Sequence, residues 1–362
     1  MGAIVADWSA EQVSGFQKRV IAFRHSLHER AMFSDEGLAR VLDRYPREAM
    51  GVFTMGEDLE DWQSWRRGSA RGMSGDQLLA AVQDGRLWLN LRHANTHLAE
   101  FADLCREIAD EKEAAFKTRI LNRDLGLLIS SPNARVFYHL DVPYSSLWQI
   151  RGRKQIWFYP RTEPYVDPAW LERCVHGTAE GQMPFKPAWD NGAQSRFLLP
   201  GDMVTWAQNA PHRVDNGPMM NVSVSMEYMT PQARLRANVI HANGLLRQNL
   251  GFTPSIETHP GPTMAAKLLI AAAHKAAIAR KARKPVLAET FEVGEAVGVA
   301  GWVRAFPGDL YSAHPGLRRD ERREGSRPLK PRPLLPGPRS PSSCSYSPRK
   351  PGPAARLADG RG

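Results

Sequence analysis

Residues 135–160 read RVFYHLDVPYSSLWQIRGRKQIWFYP. Short runs of alternating or clustered apolar residues are broken by Pro143 and by Gly152. Such runs, each too short for a helix and bounded by turn residues, read as strands at 135–140, 145–150 and 154–159. The same texture continues downstream. Further strands are expected at 196–199, 203–206 and 221–228, separated by the turn signals Pro200-Gly201-Asp202 and Asn209-Ala210-Pro211. A string of short strands with turns between them points to an antiparallel sandwich or barrel over 127–230.

On either side the pattern is helical. Before 127, helices are expected over 11–30 (Val13, Phe16, Val20, Ile21 and Phe23 at helical spacing) and over 97–116. Others should follow the caps Ser34 and Ser74, the latter through Leu78, Leu79 and Val82. Trp62 and Trp65 read as packing. After Thr230-Pro231 the helical pattern returns over 235–250 and 264–283. The second of these ends in Arg280, Lys281, Arg283 and Lys284, which complement a helix dipole. The expected organisation is a mostly helical segment (1–126), a β core (127–230), a helical segment (231–314) and a tail (315–362), an α+β chain.

Charge is concentrated in the tail. The whole chain of 362 residues carries 48 Lys and Arg against 38 Asp and Glu, a net of +10. Residues 315–362 carry 12 against 4, so the preceding 314 hold a net of only +2. The tail also has 10 of the 27 prolines. A segment of this composition buries too little apolar surface to offset its ordering entropy, and disorder is expected. Its basic residues can meet nucleic acid or acidic lipid non-specifically. No helix-turn-helix signature supports a dedicated nucleic-acid binder. With 42% hydrophobic and 24% charged residues, the body is of the soluble globular class. No run of eighteen apolar residues suggests a membrane span, and Met1 to Trp8 lacks the basic and apolar regions of a signal peptide. Cys105, Cys174 and Cys344 are widely separated and form no disulfide framework or zinc knuckle. A cytoplasmic location is expected, and a homodimer is compatible with these features.

Chemistry enters with Tyr138-His139-Leu140-Asp141. Residues two apart on a strand share a face, so His139 and Asp141 can converge on one ion. His212, delivered by the Asn209-Ala210-Pro211 turn to the start of a late strand, supplies a third ligand. Two histidines and a carboxylate form the facial triad of non-haem Fe(II) sites. A closed structural zinc site would need a fourth ligand, usually Cys, and none is placed to serve. Lys154 follows the Arg151-Gly152 turn and shares a strand face with Ile156 and Phe158. If that face lines the barrel, the ammonium points into an apolar interior and needs an anion, which a dicarboxylate cosubstrate would supply. On the alternative reading Lys154 ends a strand and reaches solvent.

Residues 129–228 resemble the JmjC and cupin-like branch of the Fe(II)/2-oxoglutarate-dependent oxygenases. The His139-x-Asp141 pair, the fifteen-residue spacing to Lys154 and the phrase Gly152-Arg153-Lys154-Gln155-Ile156-Trp157-Phe158-Tyr159-Pro160 are similar to those of its asparaginyl hydroxylase group. The segment from Gly201-Asp202 to Pro211-His212 is also similar. The resemblance implies a double-stranded β-helix, Fe(II) held by His139, Asp141 and His212, and 2-oxoglutarate paired through its distal carboxylate with Lys154. The group places a threonine three residues before the first histidine, where this chain has Val136. Ser145 and Gln149 are the candidates to replace its cosubstrate contact. The other large oxygenase branch places an arginine about ten residues after the distal histidine, where Val222 stands here. The activity implied is that of a dioxygenase, most simply a hydroxylase; its substrate is left open among a protein side chain, a small metabolite and a modified nucleotide. A competing reading keeps the barrel as a non-catalytic metal- or ligand-binding module. The pocket wall is expected from the helical start and from 161–195, an insert with Asp167, Trp170, Phe185 and Trp189 whose aromatics read as ordinary packing sooner than as substrate contacts.

Overall fold

The structure is a computed structural model that describes residues 2–54, 56, 58–61, 63–179, 181–251, 254–256, 258–278, 289–294 and 303–305. The expected tail at 315–362, the basic cluster at 280–284, Cys344 and Trp62 lie outside the described residues.

The chain opens with α1 (Ala10–Ser14), β1 (Ile21–Arg24), α2 (Asp35–Arg44), β2 (Gly51–Thr54), β3 (Arg66–Ser69), α3 (Gly75–Asp84), β4 (Trp88–Leu91), α4 (Ala94–His97) and α5 (Ala99–Phe116). Eight strands follow: β5 (Leu121–Ser130), β6 (Arg135–His139), β7 (Tyr144–Arg151), β8 (Lys154–Phe158), β9 (Gln194–Leu198), β10 (Asp202–Thr205), β11 (His212–Asn216) and β12 (Asn221–Met229). Helix α6 (Pro168–His176) lies between β8 and β9. After β12 come α7 (Pro231–Leu250), α8 (Pro262–Ile278), β13 (Glu289–Val293) and β14 (Val303–Ala305).

Strands β5 to β12 are dealt between two antiparallel sheets. One contains the run β10-β7-β12-β5 and the other is β6-β11-β8-β9. This dealing is that of a double-stranded β-helix, the architecture the resemblance implied. The larger sheet continues past β5 through β4, β2, β3, β13 and β14, and past β10 to β1.

Alternation decides which face is which. On β12, Val222, Val224, Met226 and Tyr228 pack outward with Leu125, Leu127 and Ile129 of β5 against the helices of the first half. Ser223, Ser225 and Glu227 therefore turn to the barrel interior, as residues two apart share a face. The interior has its own core of Leu147, Ile156, Phe158, Val204, Trp206 and Val214. Tight turns close the strands. Gly152 has φ +74°, and a Cβ there would come within 2.5 Å of the Met220 carbonyl oxygen. Only glycine satisfies both conditions.

The first half is not mostly helical, contrary to expectation. The long helix expected over 11–30 shrinks to the five residues of α1, and Ile21 to Arg24 instead form a strand edge paired with β10. Val20 and Ile21 are β-branched and pack on the barrel, where sheet pairing outweighs a weak helical pattern. Strands β2, β3 and β4 are also present. The caps behaved as expected: Ser34 accepts from the Gly37 N–H at α2, and Ser74 with Gln77 forms a capping box at α3. Among the described residues, no helix is long and apolar enough to cross a membrane.

Candidate metal centre

His139 ends β6 and His212 begins β11, and the two are direct partners in the antiparallel register. Asp141 follows two residues after His139. One ligand atom from each of the three residues lies within 4.8 Å of the other two. His212 Nε2 stands 3.7 Å from Asp141 Oδ2, and the two imidazole centroids are 4.1 Å apart. No fourth His, Cys, Asp or Glu joins this group among the described residues.

The supporting contacts suit a metal. His139 Nδ1 is 2.7 Å from the Phe137 carbonyl and His212 Nδ1 is 3.2 Å from the Ala210 carbonyl. An Nδ1–H donated to a carbonyl leaves Nε2 as the ligand and fixes the ring. Ser145 Oγ donates to Asp141 Oδ2 at 2.6 Å. Asn209 sits in the left-handed region at φ +63°, and its Nδ2 donates to the Asp141 and Val142 carbonyls at 2.9 and 3.2 Å. Gln208 Nε2 donates to the Val142 carbonyl at 2.9 Å. The turn that delivers His212 thus also clamps the strand end that carries Asp141.

Burial pushes the Asp141 carboxyl up, but the neighbouring His212 and His139 and the Ser145 hydrogen bond outweigh it, and it stays below its ordinary range. Burial, with His139 beside it, pushes His212 down. An ionised carboxylate beside a neutral imidazole is the protonation state that binds a divalent cation. The N,N,O donor set and the absence of a closing fourth ligand fit Fe(II) or Mn(II) better than structural zinc. Ser145→Ala should weaken Mn(II) binding by about tenfold, the lower end of the usual cost of losing a supporting partner. Competition titration against a chelator measures this, and unchanged affinity would remove Ser145 from the support of the site.

Lys154 begins β8, next to β11 in the same sheet, and is 5% exposed. Lys154, Ile156 and Phe158 are buried while Gln155 and Trp157 are half-buried, so the ammonium stem shares the apolar interior face. It has no hydrogen-bond or ion-pair partner among the described residues. Burial pushes it down to about 7. The solvent-reaching alternative therefore does not describe it.

One cavity of about 800 Å³ is lined by His139, Asp141, His212 and Lys154 together. Ser145 also lines it, though its hydroxyl is committed to Asp141. Gln149 does not line it. Its Nε2 donates to the Arg151 carbonyl and Asn221 Oδ1, and its Oε1 accepts from Ser223. Neither residue offers the free polar group expected of a cosubstrate contact.

The insert at 161–195 lines part of the cavity, as expected, while its aromatics take the packing role. Asp167 caps α6, and Phe185 packs with Trp170 and Trp189 around Tyr138 and Tyr159. None of Asp167, Trp170, Phe185 and Trp189 lines the cavity; Cys174 to Gly177 and Gln182 do so instead. Sequence reasoning missed Asn209, which read as a plain turn residue, and the wall contributed by β2, β3 and β4. The turn motif next to His212 was the available signal for Asn209.

Among solved structures, the chain is similar to three of the ribosomal oxygenase YcfD of Escherichia coli. One matches at 18% identity over 77% of this chain and 69% of that chain, with a TM-score of 0.44. A second matches at 18% over 76% and 68%, with 0.43. The third, in complex with cobalt and 2-oxoglutarate, matches at 19% over 73% and 64%, with 0.40. No family model and no curated protein matches the chain. On its own geometry, this is a double-stranded β-helix with a two-histidine, one-carboxylate cluster and, in the same cavity, a buried lysine that has no partner among the described residues.

Proposed function

We propose that this chain is an Fe(II)- and 2-oxoglutarate-dependent oxygenase, acting as a hydroxylase. The observation that carries the reading is the pairing of His139, Asp141 and His212 with the unpartnered Lys154 in one cavity. A metal site alone has no use for a buried cation, which costs stability without an anion to meet it. A dicarboxylate with one end at the metal gives that cation its partner.

The roles follow from position. His139, Asp141 and His212 would hold the ion at the cavity that they line. When bound there, Fe(II) with 2-oxoglutarate and dioxygen would supply the oxidising chemistry for a substrate C–H bond, one oxygen atom entering the product as hydroxyl and the other entering succinate, with carbon dioxide released. Lys154 orients the cosubstrate through its distal carboxylate. Ser145 and Asn209 hold Asp141 in place. Ile156, Val214, Leu147 and Trp206 keep water from the interior, where fixed charges act more strongly. The substrate falls to a small molecule or a protein side chain, and a cytoplasmic setting suits a ferrous enzyme with a buried free thiol at Cys105.

Succinate formation from 2-oxoglutarate by the Fe(II)-loaded protein, measured without added substrate, tests the reading. Slow, metal-dependent turnover is expected in the wild type and none in His139→Ala.

A further inference from the structure

The barrel's inner face does not stop at β5. Beyond it the larger sheet runs on through β4, β2 and β3, while the smaller sheet ends at β6. The inward face of β4, β2 and β3 thus has no facing strand among the described residues. It forms a wall of the same cavity that holds His139, Asp141 and His212.

The register says what stands on that wall. Arg67 is opposite Phe53, Phe53 is opposite Trp88, and Trp88 is opposite Ser130 of β5. Directly opposed residues share a face, so the four form one row. Trp65 joins it: its ring lies 4.8 Å from that of Phe53, and the Trp88 ring lies 5.3 Å away on β4. All three rings are half-buried, with faces left to the cavity. Next in the row stands Arg67, also half-buried; its register partner on β13 is Glu289, whose carboxylate pairs with Arg71 at 3.2 Å. The Nε of Arg67 is buried without a hydrogen-bond partner, and no carboxylate pairs with its guanidinium among the described residues. By contrast, Arg92 on the same cavity wall is paired with Asp124 at 3.4 Å and Glu227 at 3.1 Å.

The wall leads toward the metal end. Along the chain from Trp88 through Asn90 to Arg92, four residues at about 3.3 Å each span ~13 Å. Arg92 is close enough to Asp141 for their charges to act on each other.

We propose that Phe53, Trp65, Trp88 and Arg67 form the subsite that selects the primary substrate, an elongated molecule with a flat ring bearing an anionic group. The ring stacks on the aromatic strip and the carboxylate or phosphate pairs with Arg67. The rest of the molecule reaches along Asn90 toward the triad. Guanidinium forks favour planar oxyanions, and aromatic faces favour flat rings over flexible chains. The assignment of this molecule as substrate rests on the oxygenase reading; the subsite's binding chemistry does not.

The test is equilibrium dialysis of the metal-free full chain with two ring-bearing anions, indole-3-acetate and adenosine 5′-monophosphate. Their neutral counterparts, indole-3-acetamide and adenosine, serve as references, and acetyl-Ala-Glu-Ala-amide serves as a ring-free acid. At least one of the two anions should saturate a single site about tenfold or more tighter than its neutral counterpart, as one charge-assisted pair supplies. Preference for indole-3-acetate identifies a carboxylate and preference for the nucleotide a phosphate. Arg67→Met should erase the anion's advantage, and Trp88→Leu should weaken both members of the pair. Binding should persist in His212→Ala, and Mn(II) binding should persist in Arg67→Met, so failure here is distinct from failure of the metal site. An advantage that survives Arg67→Met overturns the proposal. So does equal binding of charged and neutral rings, or binding of the ring-free peptide as tight as that of the anions.

Discussion

His212→Ala should abolish stoichiometric Mn(II) or Fe(II) binding while the barrel stays folded. His212 contributes one of only three donors, and its Nε2 is the atom that faces Asp141. Losing a supporting hydrogen bond costs a metal site roughly 10–100-fold; losing one of three donors costs more. The fold does not depend on the imidazole. The interior core of Ile156, Phe158, Val204 and Val214 and the outer core on β5 and β12 remain. Isothermal titration with Mn(II), alongside a thermal melt, separates the two effects. Full metal binding in a folded His212→Ala protein would remove this residue from the triad.

Lys154→Met has the second large effect, because it keeps the stem and deletes the charge. The metal should still bind. Affinity for 2-oxoglutarate should fall by roughly 2–5 kcal/mol, about thirtyfold to several thousandfold, the usual cost of truncating one partner of a buried charge pair. The same substitution has a pH signature in the metal-free protein. An unfolded lysine titrates near 10.5, while burial holds folded Lys154 near 7. Between these values the unfolded chain binds more protons, so the contribution of Lys154 to stability rises with pH from about 7 to about 10.5. Below about 7 the full penalty applies. Lys112, buried beneath β7 with Ser146 as its hydrogen-bond partner, is shifted in the same direction. The comparison is therefore the difference between wild type and Lys154→Met. That difference should favour the mutant at pH 7 by a few kcal/mol and shrink toward pH 10. A flat difference across this range would place Lys154 in water.

The sequence made the β core legible where one strand face is apolar and the other is not. Strands β6, β7, β8, β10 and β12 fall within a residue or two of their expected positions. The triad was legible for the same reason: alternation puts His139 and Asp141 on one face, and a turn announces His212. Strand β5 was not, since its first half is Leu121-Asn122-Arg123-Asp124, whose polar residues serve ion pairs such as Arg123 to Glu113 and Asp124 to Arg92. Strands β2, β3 and β4 have four residues each and almost no pattern of their own. They exist because an extended sheet edge was available to pair with. The row Arg67, Phe53, Trp88 cannot be seen in the chain at all, because register between distant strands creates it. Asn209 is hidden likewise. Its acceptors on Asp141 and Val142 lie nearly seventy residues earlier.

Anaerobic titration of 2-oxoglutarate into the Fe(II)-loaded chain tests the central claim most directly. One equivalent should bind per chain, only when the metal is present, and with the affinity lost in Lys154→Met. A chain that takes up one equivalent of metal but binds no 2-oxoglutarate would contradict the oxygenase reading and leave a metal-binding barrel.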